Sequence, residues 1–141
     1  MKVVLAIDGS ECSLRATQFL VDLVKGRDGA EVQIVNVQHP VRYFDLLSKQ
    51  KQRLVERLTH EHGQRETAYA REILAAARVP FHLEVVVGED PATAIVQVSQ
   101  KLNCDLIVMG TRGMATIAGF VLGSVASKVI HLTDTAVTMV K

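Results

Sequence analysis

Gly110, Gly113, Gly123 and Ser124 have the types and the spacing to hold an anion. Gly110-x-x-Gly113 comes directly after a short apolar run at 106–109. Nine residues then separate Gly113 from Gly123, Ser124 and Val125, where a helical pattern begins. Glycine lets the backbone turn sharply and pass close to a ligand. A Gly–Ser step opening a helix offers unpaired N–H groups and a hydroxyl to an anion. That combination is a phosphate cradle. Asp8, which follows the apolar residues 3–7 and precedes Gly9 and Ser10, is the second group with chemistry open to it, because a carboxylate at a strand end can bridge a ribose diol. Each residue also has a plainer use: Asp8 in an Asp–Gly turn, Ser10 and Ser124 as helix N-caps, the glycines in ordinary turns. The combined spacing is what favours phosphate binding.

For these groups to form one site, the intervening elements must bring two distant strand ends together. Val3, Val4, Leu5, Ala6 and Ile7 make a continuous apolar run, the pattern of a strand buried on both faces. Ser10 then starts a helix, with Glu11 in its first turn. Ala16, Phe19, Leu20, Leu23 and Val24 supply its packing face before Gly26 and Gly29 end it. A second strand covers 32–37 and closes at His39 and Pro40. Residues 42–78 are charged and helical in propensity, and Gly63 divides this segment or marks a loop before its main helix. Ala70, Ile73, Leu74 and Ala77 form the packing face of its later part. Charges of both signs alternate along it (Lys51, Arg53, Glu56, Arg57, Glu61, Arg65, Glu66, Arg71, Glu72), as on a solvated face. Tyr43 and Phe44 read as packing beneath this helix rather than covering a base.

Phe81–Val87 reads as a third strand near a sheet edge. Asp90 caps the next helix, with Pro91 at its first position and Ile95, Val98 and Leu102 facing inward. A fourth strand follows at 106–109, a last helix at Ser124–Leu132 and a fifth strand at Ala136–Val140. Strands alternating with helices predict an α/β fold with an open, mostly parallel sheet covered on both faces. Ligands of such sheets sit beyond the carboxyl ends of the strands, where the winding reverses. In the order 3-2-1-4-5 the first and fourth strand ends are neighbours at that point, although the sequence alone leaves the order open. His60, His62, His82 and His131 read as surface or strand residues. His39 ends the second strand near the expected base pocket, with a structural role.

Composition narrows the classes. A chain of 141 residues with 48% hydrophobic and 4% aromatic residues predicts one domain over 1–141 with an aliphatic core. A net charge of +1 argues against electrostatic capture by nucleic acid or a membrane surface. Cys12 and Cys104 make neither a disulfide framework nor a metal spacing, and both read as small buried hydrophobes. Asp8 interrupts the first apolar run far short of a signal-peptide core. The longest uncharged stretch, 113–127, contains three glycines and falls short of the ~20 residues of a membrane span. The expectation is a reduced, cytoplasmic protein.

The signature Gly110-x-x-Gly113-x9-Gly123-Ser124 resembles the nucleotide-binding motif of the universal stress protein family. The opening Val3, Leu5, Ala6, Ile7, Asp8, Gly9, Ser10, the Gly88-x-x-Pro91 loop, the approach from Cys104 to Gly110 and the short final strand are also similar. The likeness spans essentially the whole chain and is least distinctive over 42–66. It implies a Rossmann-like sheet of the adenine-nucleotide alpha hydrolase type, ordered 3-2-1-4-5, with ATP held across strands 1 and 4, Mg2+ as its accompanying cation, and homodimers pairing through Ala136–Val140. Carried over by position, Asp8 would contact the ribose, with Ser10 beside it and Ala6 and Val37 near the adenine. Met109 and Gly110 would lie by the ribose and phosphates. Gly113, Gly123, Ser124 and Val125 would bind the phosphates, and Arg112, at a variable loop position, would reach the γ-phosphate. The ending departs from the family's Pro–Val–Leu–Val–Val: here Thr135, Ala136, Val137, Thr138, Met139 and Val140 keep the strand pattern without the proline.

Three activities suit this resemblance: an ATP-binding regulatory module of the stress response, a slow ATPase or autophosphorylating enzyme, and a nucleotide-free dimeric scaffold. The intact glycine signature argues against the scaffold. Phosphoryl transfer needs an aligned nucleophile, a metal on positioned ligands and cationic stabilisation. The chain has no GxxxxGK[ST] and no second acidic metal-ligand motif, and only Arg112 and Lys128 stand near the loop. Binding is favoured over turnover.

Overall fold

The first apolar run forms β1 (Lys2–Ala6), followed by α1 (Glu11–Val24), β2 (Glu31–Gln38), a 3-10 turn at Phe44–Leu46, α2 (Lys49–Ala76), β3 (Phe81–Val87), α3 (Pro91–Leu102), β4 (Leu106–Gly110), α4 (Ser124–Leu132) and β5 (Ala136–Val140). The computed structural model describes residues 1–113 and 122–141; most of the spacer between Gly113 and Gly123, and with it part of the uncharged stretch 113–127, lies outside the described residues. The five strands form one parallel sheet in the order β3-β2-β1-β4-β5, as the resemblance implies. Ala6 stands opposite Val35 and Leu5 opposite Val108, so the carboxyl ends of β1, β2 and β4 finish side by side. The winding reverses between β1 and β4.

Alternation within the strands divides the core in two. Val3, Leu5 and Ile34 face α1 and α2 and pack with Leu20, Ala70 and Leu74. Val4, Val35 and Ile107 face α3 and α4 and pack with Ile95, Val98 and Val129. Each fully buried Val, Leu or Ile contributes about 1.5–3 kcal/mol through loss of apolar surface from water, so these two layers fix the strand ends. Three helices start on a side-chain cap: Ser10 accepts from Ser13 N at 3.2 Å, Ser48 from Lys51 N at 3.4 Å and Asp90 from Thr93 N at 3.3 Å. Pro91 opens α3, as the sequence predicts.

Two local readings are corrected. Gly63 does not divide the long segment, because α2 runs unbroken from Lys49 to Ala76 and buries Gly63 against the sheet. A Cβ there would stand 2.7 Å from the Val85 methyls and 2.8 Å from Asn36 Oδ1, so this glycine lets the helix approach β2 and β3. Tyr43 is 74% exposed, in the left-handed conformation at φ 58°, and does not pack beneath α2, whereas Phe44 is half-buried. Of the two free cysteines, Cys12 is buried and Cys104 only partly so, its thiol pushed above its ordinary pKa by that burial. Among the described residues no helix is long and apolar enough to cross a membrane.

Candidate functional site

A cavity of about 430 Å³ opens over the carboxyl ends of β1, β2 and β4, at the reversal of the winding. That volume lies within the range of small-molecule sites. Its walls come from the ends of the three strands, the loop after β4, the first turn of α4 and the middle of α2, with Ser13 of α1 and Pro91 and Ile95 of α3 completing them.

The loop side carries the glycine signature. Gly110, Arg112, Gly113, Gly123, Ser124 and Val125 all line the cavity. Gly123 N donates to Thr111 O at 2.6 Å, which ties the start of α4 to the end of β4. Unlike α1, α2 and α3, α4 has no side-chain cap, since its N-cap is Gly123. The first-turn residues Ser124, Val125 and Ala126 border the cavity directly. A helix start with no side-chain cap among the described residues leaves N–H groups open to water or an anion. Beside it, Thr111 is 5% exposed and lines the same cavity, yet its Oγ1 has no hydrogen-bond partner among the described residues. A buried hydroxyl left unpaired is costly unless a ligand or water meets it.

Asp8 stands between the two halves of the site. Its Oδ1 accepts from Ser10 N at 3.0 Å, which sets the turn out of β1. Its Oδ2 lies where a Cβ on Gly113 would fall, 2.6 Å away, so the bare backbone at 113 lets the β4 loop close on this carboxylate. Gly110 has a different reason to be glycine: a Cβ there would meet Cys12 Cβ at 2.7 Å, in the first turn of α1. Ala6, Val37 and Met109 line the apolar wall, with Ala6 and Met109 in the α3–α4 core layer and Val37 packed against it. Ten of the eleven residues singled out in the sequence therefore share one cavity. Ser10 is the exception: its hydroxyl caps α1 and contacts Arg112 O at 3.4 Å, and it lies outside the lining.

Several cavity residues escaped the sequence reading. From α2, His62 and Glu66 reach the end beyond β2, where Gln38 lines the wall beside His39, which the sequence does place near the base pocket. Asn36 Nδ2 donates to Ile7 O and to Glu66 Oε2, each at 2.9 Å. Gln38 Nε2 donates to Asn36 Oδ1 and Glu66 Oε2, each at 2.7 Å, and His62 Nδ1 meets Gln38 Oε1 at 2.9 Å. The one signal available was Asn36 itself, a polar residue within the apolar run 34–37 of β2, which demands partners once that run is buried. On the other side of the sheet, Lys128 Nζ pairs with Asp90 Oδ2 at 2.8 Å and joins the second turn of α4 to the N-cap of α3. The Lys128 ammonium, with help from the Thr93 hydroxyl, holds the Asp90 carboxyl below the usual carboxylate range.

A model of the Universal stress protein family matches residues 1–141. A universal stress protein of Methanocaldococcus jannaschii is 34% identical over 140 residues, which cover 99% of this chain and 81% of that one. Among solved structures, a protein whose biochemical function was assigned from its structure is 25% identical, with a TM-score of 0.83 over 99% of this chain and 94% of its own. A universal stress protein crystallised with cAMP is 26% identical, with a TM-score of 0.73 over 100% of this chain and 97% of its own. With the whole chain matched, the sheet order shared and the glycine signature folded around one cavity, this chain belongs to the universal stress protein family.

Proposed function

We propose that the protein is an ATP-binding regulatory module of the stress response, cytoplasmic and dimeric, which holds its nucleotide rather than turning it over. The observation that carries this reading is the first turn of α4, which opens without a side-chain cap onto the cavity beside the unpaired Thr111 hydroxyl. A triphosphate placed there meets the helix N-terminus, the Ser124 hydroxyl and the exposed Arg112 guanidinium. The ribose then reaches Asp8, and the base lies against Ala6, Val37 and Met109. A relative at 26% identity crystallised with cAMP supports an adenine nucleotide as the ligand class. Ser10 takes no part, because its hydroxyl is used by α1.

Holding is favoured over turnover by the donor set. On the phosphate side of the lining, Asp8 is the carboxylate and Arg112 the cation among the described residues, while Lys128 is paired with Asp90. Among the described residues no group of three or more His, Cys, Asp or Glu is placed to hold a metal. Mg2+ would therefore come as the phosphates' own partner. The free outer edge of β5 is the surface for pairing with a second copy. The test is to denature the purified protein and identify any released nucleotide, with phosphate release followed on the native protein. Released or re-bindable adenine nucleotide without phosphate release agrees with the proposal. Steady phosphate release that Gly113→Val abolishes would make the protein an enzyme instead.

A further inference from the structure

The polar cluster at the α2 end of the cavity can be assigned atom by atom. Ile7 O accepts only, so the Asn36 atom 2.9 Å from it must be the amide nitrogen, and Asn36 Oδ1 therefore faces Gln38. Gln38 must then present its own amide nitrogen to Asn36 Oδ1 and to the Glu66 carboxylate. That leaves Gln38 Oε1 as an acceptor, and the His62 Nδ1 at 2.9 Å must carry the proton. In the neutral ring His62 Nε2 is consequently a lone-pair acceptor. Glu66 engages its Oε2 with two donors and keeps Oε1, 3.8 Å from His62 Nδ1, for further acceptance. The chain of donors starts at a backbone carbonyl, so its direction does not depend on the ligand.

Both end groups, His62 and Glu66, line the cavity, and the amide protons of Asn36 and Gln38 are spent inside the cluster. His39, exposed at the rim, is not held in one tautomer by any described hydrogen bond and does not fix the sense of recognition. Resting on the ATP-binding reading above, we infer that His62 and Glu66 are specificity residues that read the exocyclic amine at C6 of a purine. An amine donates to this acceptor pair. A carbonyl at the same position would set its own lone pairs against them and, with the purine in the same pose, give them no donor at C6, and a site built to hydrogen-bond an N–H group discriminates strongly for that reason.

The experiment titrates ATP, ITP and GTP against the wild type, Glu66→Gln and His62→Leu. Glu66→Gln keeps the shape and the acceptor for Asn36 and Gln38 but replaces the remaining acceptor, Oε1, with an amide donor. The wild type should bind ATP about tenfold or more tightly than ITP. Glu66→Gln should bring that ratio towards one, and His62→Leu should also lower it by weakening ATP and relieving ITP. The wild-type ratio decides the sense of recognition, and a folded Glu66→Gln or His62→Leu that kept that ratio would overturn the assignment to these residues. If the wild type binds ATP and ITP equally, the inference is overturned while the ATP reading stands. Guanine carries its amine at C2, so GTP binding at or above the affinity of ATP would also overturn it. If the wild type binds none of the three, both readings fall together.

Discussion

Asp8 and Gly113 show how closely one residue's identity depends on another's in this site. The carboxylate can sit at the end of β1 and still face the β4 loop only because position 113 has no side chain, with 2.6 Å between Asp8 Oδ2 and the place a Cβ would take. The motif glycines were legible as a set from their spacing, but their separate reasons were not. Gly110 answers to the first turn of α1 and Gly113 to a carboxylate more than a hundred residues earlier. Ser10 caps α1 and falls outside the lining, and the sequence could not show this because a hydroxyl beside a ligand and a hydroxyl that caps a helix look the same there. Glu66 was hidden within an alternating charge pattern, although Asn36 was asking for its partner. The Asp90–Lys128 pair makes a prediction at this scale. The Lys128 ammonium keeps the folded-state pKa of Asp90 below its unfolded value, so the pair adds stability at neutral pH that is lost as pH falls below about 4. Lys128→Met should raise the Asp90 midpoint towards the ordinary carboxylate value, followed by the NMR shift of its carboxyl carbon over an acid titration. An unmoved midpoint would mean that Thr93 alone sets it.

At the scale of elements, period and capping carried most of the fold. The uninterrupted apolar run of β1, the 3.6-residue face of α1 and the Asp90–Pro91 start of α3 each stand where local rules put them. Gly63 failed for the opposite reason: a helix-weakening residue was retained because of the strands beneath it, which no local window contains. Gly63→Ala therefore sets two effects against each other. Alanine gains up to about 1 kcal/mol in helix propensity. The new methyl, 2.7 Å from Val85, forces the helix off the sheet at a cost of about 1–3 kcal/mol. Urea denaturation should show a net loss of about 1 kcal/mol or more; a gain in stability would mean that α2 shifts freely. Leu74→Ala, at a fully buried position between α2 and the sheet, should cost about 2–5 kcal/mol in the same measurement.

For the whole molecule, the parallel sheet converts distant sequence into one cavity. The order β3-β2-β1-β4-β5 sets Asp8 beside a loop a hundred residues later, and that adjacency was legible from family resemblance rather than from local pattern. The two sheet edges differ in their surroundings. β3 lies on the α2 side of the molecule, whereas β5 presents a five-residue apolar edge with one threonine. If β5 pairs with a second copy, sedimentation should return twice the 15.4 kDa of one chain, and a sedimenting monomer across the micromolar range would remove that proposal. A ligand bound only by the folded state should also stabilise it, by about 2.7 kcal/mol at a hundred times its dissociation constant.

Everything proposed for this protein turns on whether the β4–α4 loop cradles the phosphates of ATP against Asp8. Isothermal titration of ATP into the wild type and into Gly113→Val, with circular dichroism confirming that both are folded, tests it most directly. The wild type should bind one ATP per chain saturably. The variant should lose at least about tenfold in affinity, because the added side chain occupies the space of the Asp8 carboxylate. Equal binding by both proteins, or none by the wild type, would contradict the cradle.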